Sequence, residues 1–145
     1  MSGAVKTSEA VSLALHAMAV LKSRHGEVMP VRDIATALNA SEAHLSKVLQ
    51  RLSRSGMLKS VRGPSGGYSL RNKEDDFSLL EVYEVMEGPL EIKKCLFKVK
   101  VCSGQNCMLG GLLERLNREL FDYLTATNVS DLAVAFDGGD GSKNL

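Results

Sequence analysis

Residues 41–70, SEAHLSKVLQRLSRSGMLKSVRGPSGGYSL, limit the fold more tightly than any other stretch of the chain. Leu45, Val48, Leu49 and Leu52 recur at three- and four-residue steps, which gives a helix one apolar face. Ser41 stands at the N-cap position and Gly56 just past the end. His44, Lys47, Gln50, Arg51 and Arg54 fall on the outer face, so this helix turns cations and an amide to solvent. Two short β-prone runs follow, Leu58–Val61 and 68–70, separated by RGPSGG, whose proline and glycines demand a turn. A helix followed at once by a hairpin leaves few architectures open.

The preceding residues narrow them further. SEAVSLALHAMAVLKSRHG reads as a first helix, with Val11, Leu15, Met18 and Leu21 at helical spacing, Ser8 as its cap and Gly26 beyond its end. His25 beside Gly26 is read as structural, an imidazole complementing the helix dipole. Pro30 sits where a second helix begins, with Ile34, Ala35 and Leu38 as its apolar face. The link NAS then joins it to the polar third helix. Two helices joined by a tight link form a helix-turn-helix, and a hairpin directly behind the recognition helix is a wing.

Charge agrees with this order. Residues 1–73 carry eleven Lys/Arg against four Asp/Glu, or +7, and residues 74–145 carry seven against thirteen, or −6, which together give the whole-chain +1. A basic half is what a phosphate surface needs, although a merely solvated basic face has the same composition. The expected contacts to double-stranded DNA are Lys47, Gln50 and Arg51 in the groove and Ser41, His44 and Arg54 toward phosphates. Arg62 and Ser65 of the wing are expected near a minor groove.

Three units are expected. They are a winged helix-turn-helix over 7–73, a segment over 74–127 that joins a cysteine loop to a dimerisation helix, and a C-terminal segment over 128–145 ending in a flexible, glycine-rich tail. Ser78 can cap a short helix that Gly88 and Pro89 stop. After the cysteines, MLGGLLERLNRELFDYLTAT sets Leu109, Leu112, Leu113, Leu116, Leu120, Tyr123 and Leu124 at helical steps. That seam is wide for a lone helix, so pairing with a second copy is expected. The fold class is therefore mostly α with a small β wing. No run approaches the length of a membrane span, and the first residues lack a secretory pattern. The expected location is the cytoplasm, where clustered cysteines are more often ligands or redox groups than disulfides.

All three cysteines lie in thirteen residues, CLFKVKVCSGQNC, as Cys95, Cys102 and Cys107. Gaps of six and four residues let three thiolates meet at one iron–sulfur cluster, whereas zinc favours tighter pairs. A redox thiol, zinc and incidental cysteines remain open from the spacing alone. No nucleophile–base pair or phosphate-binding glycine loop is visible, so no enzyme is expected.

With LALHAMAVL, DIATALNASEAHLSKVLQRLSRSGML, SVRGPSGGYSL, FSLLEVYEVMEGPL, the spaced cysteines and LLERLNRELFDYL in this order, the chain resembles the Rrf-type, IscR/NsrR-like winged-helix regulators of bacteria. The resemblance implies a homodimeric repressor or dual regulator, and in many members the cysteine loop holds a 2Fe–2S or 4Fe–4S cluster. Some members lack the cysteines and sense through a partner protein. IscR-like members carry a histidine three residues after the third cysteine, but Gly110 stands there in this chain. Other branches take a ligand from the partner subunit's first helix, which aligns Ser12 and His16 with the two donor positions. His16 is then the expected fourth metal ligand, with Glu9 or a nonprotein ligand as alternatives, unless it simply packs in the core. A cluster-free thiol switch through the same cysteines is the rival reading, and regulation by a bound metabolic enzyme is another.

Overall fold

The chain's computed structural model describes residues 6–137. Its elements are α1 (Glu9–Ser23), α2 (Val31–Leu38), α3 (Glu42–Arg54), β1 (Leu58–Val61), β2 (Gly67–Leu70), α4 (Leu79–Glu87), α5 (Leu112–Ala126) and α6 (Val129–Ala133). Six helices surround one antiparallel two-stranded sheet, which is the mostly-α class with a small β wing. Of the expected flexible tail, residues 136–145, Phe136 and Asp137 instead form a turn at the end of α6, their amides donating to the Ala133 carbonyl at 2.8 and 3.1 Å. The rest lies outside the described residues.

Helix α1 is the hub of the packing. Val11, Ala14, Ala17, Met18, Ala19 and Leu21 are fully buried, and α2, α3, α4, α6 and β2 all lie against it. Three alanines among these residues let neighbouring backbones approach closely while the larger side chains fill the gaps. Ser8 caps the helix by accepting from the Val11 amide at 3.2 Å. One continuous core joins Leu45, Leu49 and Leu52 of α3 to Leu79 and Val82 of α4 and to Val129 of α6. It therefore crosses the Lys73–Glu74 boundary, and Lys22 reinforces that join by donating to the carbonyls of Lys73 and Asp75 at 3.4 and 2.5 Å.

The helix-turn-helix follows from local chemistry. Asn39 ends α2 in the left-handed region at φ 50°, and its short polar side chain tolerates that conformation. Ser41 restarts the chain as N-cap of α3, accepting from the His44 amide at 3.4 Å. The hairpin pairs Leu58 with Leu70 and Val61 with Gly67. A further rung was not expected from the sequence: Met29 exchanges both backbone hydrogen bonds with Tyr68 at 2.9 Å, which gives β2 a partner on its other edge. Pro30, the N-cap of α2, follows immediately, so the start of that helix and the wing share one anchor.

The second half departs from the sequence expectation at two places. Helix α5 starts at Leu112 rather than near Met108, because Gly110 and Gly111 adopt φ 49° and 79° and break the helical path. Leu109 therefore leaves the apolar seam. The C-terminal segment also contributes α6, which buries Val129 and Ala133 against α1. Asp76 fastens α6 by accepting from the Ser130 amide and hydroxyl at 3.1 and 2.6 Å. Ser78 and Glu81 form a full capping box on α4, an arrangement worth about 1 kcal/mol.

The wing depends on one glycine. A Cβ at Gly67 would lie 2.0 Å from the Met29 carbonyl oxygen, a backbone atom that cannot rotate away. Gly67→Ala should therefore break the Met29–Tyr68 rung and lower stability by about 2 kcal/mol, read as a fall in thermal midpoint. An unchanged midpoint would contradict that rung.

Candidate nucleic-acid interface and cysteine loop

Burial of Leu45, Val48, Leu49 and Leu52 fixes the rotation of α3 about its axis, and hence what it shows to solvent. Lys47, Gln50 and Arg54 are exposed and make no hydrogen bond or ion pair among the described residues. Arg62 and Ser65 at the tip of the wing are likewise exposed. Lys59 on β1 adds an exposed cation that the sequence reading did not single out. Together these side chains project from the recognition helix and the wing that follows it.

Two residues of the expected set have partners inside the protein. His44 is half-buried, and its Nδ1 lies 3.5 Å from Glu9 Oε1, which ties the start of α3 to the start of α1. Arg51 donates through Nη2 to the carbonyls of Val85 and Met86 at 3.0 and 2.9 Å. These are acceptors in the last turn of α4, where carbonyls lack intrahelical partners and a cation complements the helix dipole. Helical periodicity put Arg51 on the outer face but could not show that α4 returns alongside it. The contact spans thirty-five residues and leaves no local signal in the sequence.

The cysteine loop runs between α4 and α5 without a helix or strand. Among the described residues, no backbone–backbone hydrogen bond involves residues 89–106, and the contacts that hold the loop lie at its start, before Cys95. The Leu90 amide donates to Glu84 Oε1 at 3.2 Å. Just after it, Asn117 of α5 donates to the Lys93 carbonyl at 3.2 Å, and Lys94 pairs with Glu114 at 3.7 Å. Cys95 is half-buried, Cys102 and Cys107 are exposed, and all three thiols are free. They line one cavity of about 310 Å³ with Leu96, Phe97, Val101, Asn106, Met108 and Leu109. Sharing a cavity is not yet coordination: among the described residues, no three His, Cys, Asp or Glu side chains converge on a metal position.

His16 is exposed on α1 rather than packed in the core. Its Nδ1 lies 2.6 Å from the Ser12 carbonyl oxygen. As a donor there, Nδ1 carries the proton of the neutral ring and leaves the Nε2 lone pair unused. Gly110, at the position where an IscR-like histidine would stand, carries no donor side chain.

Helix α5 lies on α4 and buries only Leu124 fully. Leu112, Leu116 and Tyr123 remain 41%, 46% and 60% exposed, respectively. A groove of about 620 Å³ runs beside them, lined in part by Tyr83, Leu90, Leu113 and Leu120. Partial burial, and secondly the Glu87 carboxylate, raise the Tyr83 phenol above its ordinary value, so it stays neutral in that groove.

Exposure orders the three thiols by accessibility. With iodoacetamide, Cys102 and Cys107 should alkylate before Cys95, as read by peptide mass spectrometry over time. Faster labelling of Cys95 would contradict the loop geometry.

Comparison with known proteins bears on both surfaces. Residues 7–135 match the Rrf2 family model, described as an iron-dependent transcriptional regulator. The chain is 30% identical over 122 residues to the transcriptional regulator CymR of Bacillus subtilis, covering 83% of this chain and 84% of the relative. It is also 30% identical over 112 residues to the transcriptional regulator IscR of Erwinia tasmaniensis, covering 77% of this chain and 67% of that protein. The solved structure of CymR, titled the global cysteine regulator of B. subtilis, superposes with a TM-score of 0.73 at 28% identity, over 90% of this chain and 98% of that one. The match over nearly the whole winged helix, loop and α5 places this chain in the Rrf2 family of transcriptional regulators.

Proposed function

We propose that the chain is a homodimeric, DNA-binding regulator whose activity is switched by an iron–sulfur cluster held in the 95–107 loop. The observation that carries the reading is the placement of three free thiols around one cavity, in a loop pinned to α5. The donor set fits: thiolates are the ligands such clusters use, and the loop backbone is not committed to a helix or sheet. Cys95, Cys102 and Cys107 would hold the cluster, and His16 of the second subunit would supply Nε2 as the remaining ligand. When bound, the cluster supplies a redox- and nitric-oxide-sensitive centre whose loss is the signal. The protein's own part is to keep the thiols together and to transmit the state of the loop to α3.

For DNA, Lys47 and Gln50 face the major groove, Ser41 and Arg54 reach phosphates, and Arg62 with Ser65 enters a neighbouring minor groove. The second subunit pairs through α5, where Leu112, Leu116 and Tyr123 have no partner within the described chain to cover them. Two-fold pairing presents two recognition helices to two half-sites. The reading places the protein in the cytoplasm, as a regulator and not an enzyme.

A second reading has its own support. The thiols share a cavity without converging, and the solved relatives include a CymR in an oxidised form. In that reading the same cysteines act as a cluster-free thiol switch.

Anaerobic purification with iron and acid-labile sulfide quantification separates the two. The cluster reading predicts a brown protein with about two or four irons per subunit and visible absorption, lost on replacing any one cysteine and weakened by His16→Ala. Colourless, iron-free protein from iron-replete anaerobic cells would leave the thiol switch. For the DNA surface, Arg62→Ala should weaken binding and lower the salt slope by about one. Leu116→Glu should convert the dimer to monomer in size-exclusion chromatography with light scattering; an unchanged dimer would rule out α5 as the interface.

A further inference from the structure

Arg51 lies on the recognition helix, but its guanidinium holds the C-terminal turn of α4. The Val85 and Met86 carbonyls accept from it at 3.0 and 2.9 Å, and no other hydrogen-bond donor side chain reaches them among the described residues. Immediately beyond that turn the chain leaves the helix at Gly88, whose φ is 80°. The Leu90 amide is then drawn back to Glu84 Oε1, on the same α4 turn, at 3.2 Å. Five residues later comes Cys95, the first thiol. The last turn of α4 is thus held from two sides, by the recognition helix through Arg51 and by the start of the cysteine loop through Leu90.

We infer that Arg51 is a positioning residue that couples the cysteine loop to the recognition helix through the last turn of α4. The inference rests on the proposed regulatory reading and deepens it, because it names how the state of the loop reaches α3. Moving the loop pulls on Leu90 and on the α4 turn. Both bonds come from the one nitrogen Nη2. The guanidinium thus ties two successive carbonyls of α4 to α3 and passes that displacement on, which a side chain without a donor cannot do. Coupling of this kind is reciprocal, so the link can be read from either end. Arg51 then sets the seating of α3 without itself binding phosphate.

All three cysteines of the chain lie in the loop, so a thiol reagent addresses the loop alone. The full chain is alkylated with iodoacetamide, and amide hydrogen exchange of α3 is compared before and after, in the unsubstituted protein and in Arg51→Met. Circular dichroism confirms that the variant is folded. The expected result is a severalfold change in exchange along the second half of α3 on alkylation, absent in Arg51→Met. No change in the unsubstituted protein, or the same change in Arg51→Met, would overturn the inference. This arm contains no DNA, so it is decided even if the regulatory reading fails.

Binding of a short mixed-sequence duplex across a salt series gives the second arm, with Arg51→Gln. A positioning role predicts parallel lines with affinity lowered about tenfold at every salt concentration. A slope reduced by about one would make Arg51 a phosphate contact and overturn the positioning role. If the unsubstituted protein binds no duplex at all, the regulatory reading fails by itself, separately from the exchange result.

Discussion

Burial of α1 is the constraint on which the rest of the structure depends. This helix is apolar almost all round, and both halves of the chain are built on it: α2, α3 and β2 from the basic half, α4 and α6 from the acidic half. The recognition helix and α4, from whose end the cysteine loop leaves, are consequently parts of one packed body. A substitution that enlarged Ala14 or Ala17, each fully buried, would disturb the seat of α3 and of α4 together. The outer side of α1 is free of that role, and there Glu9 reaches His44 while His16 turns its ring outward.

Much of this was legible in the sequence because the signals were local. The caps Ser8, Ser41 and Ser78 each accept the expected amide, and the inward set Leu45, Val48, Leu49 and Leu52 is buried as its spacing requires. The first five helices with a hairpin wing, and the family that the ordered segments resembled, agree with the structure and with the comparisons. What escaped was non-local or conformational. Nothing near Met29 announces that it will pair with Tyr68, and nothing near Arg51 announces the carbonyls of α4. The seam of leucines concealed the left-handed glycines that start α5 late, because periodicity counts apolar positions and does not weigh backbone torsion. The short α6 was hidden by its length, since five residues hold too little periodicity to be read.

The candidate sites divide along the same line. Residue type and spacing identified the exposed cations of α3 and the wing and gathered three thiols into one loop. Only the fold shows that those thiols share a cavity, that Asn117 and Glu114 of α5 hold the loop's first residues, and that His16 is exposed on α1 instead of buried. The missing local donor at Gly110 gives His16 its interest, because a ligand from a second subunit would make cluster binding depend on the dimer. The family includes relatives named IscR and CymR, so membership alone does not choose between a cluster and a thiol switch.

The claim common to both readings is that the cysteine loop controls DNA binding through the body of the protein. The most direct test measures operator affinity, at fixed salt, of one preparation before and after the loop is changed by iron removal or thiol oxidation. The account predicts a change of about fivefold or more, abolished when Cys95, Cys102 and Cys107 are replaced together. Equal affinity in the two states, in a protein shown to bind the operator specifically, would contradict it.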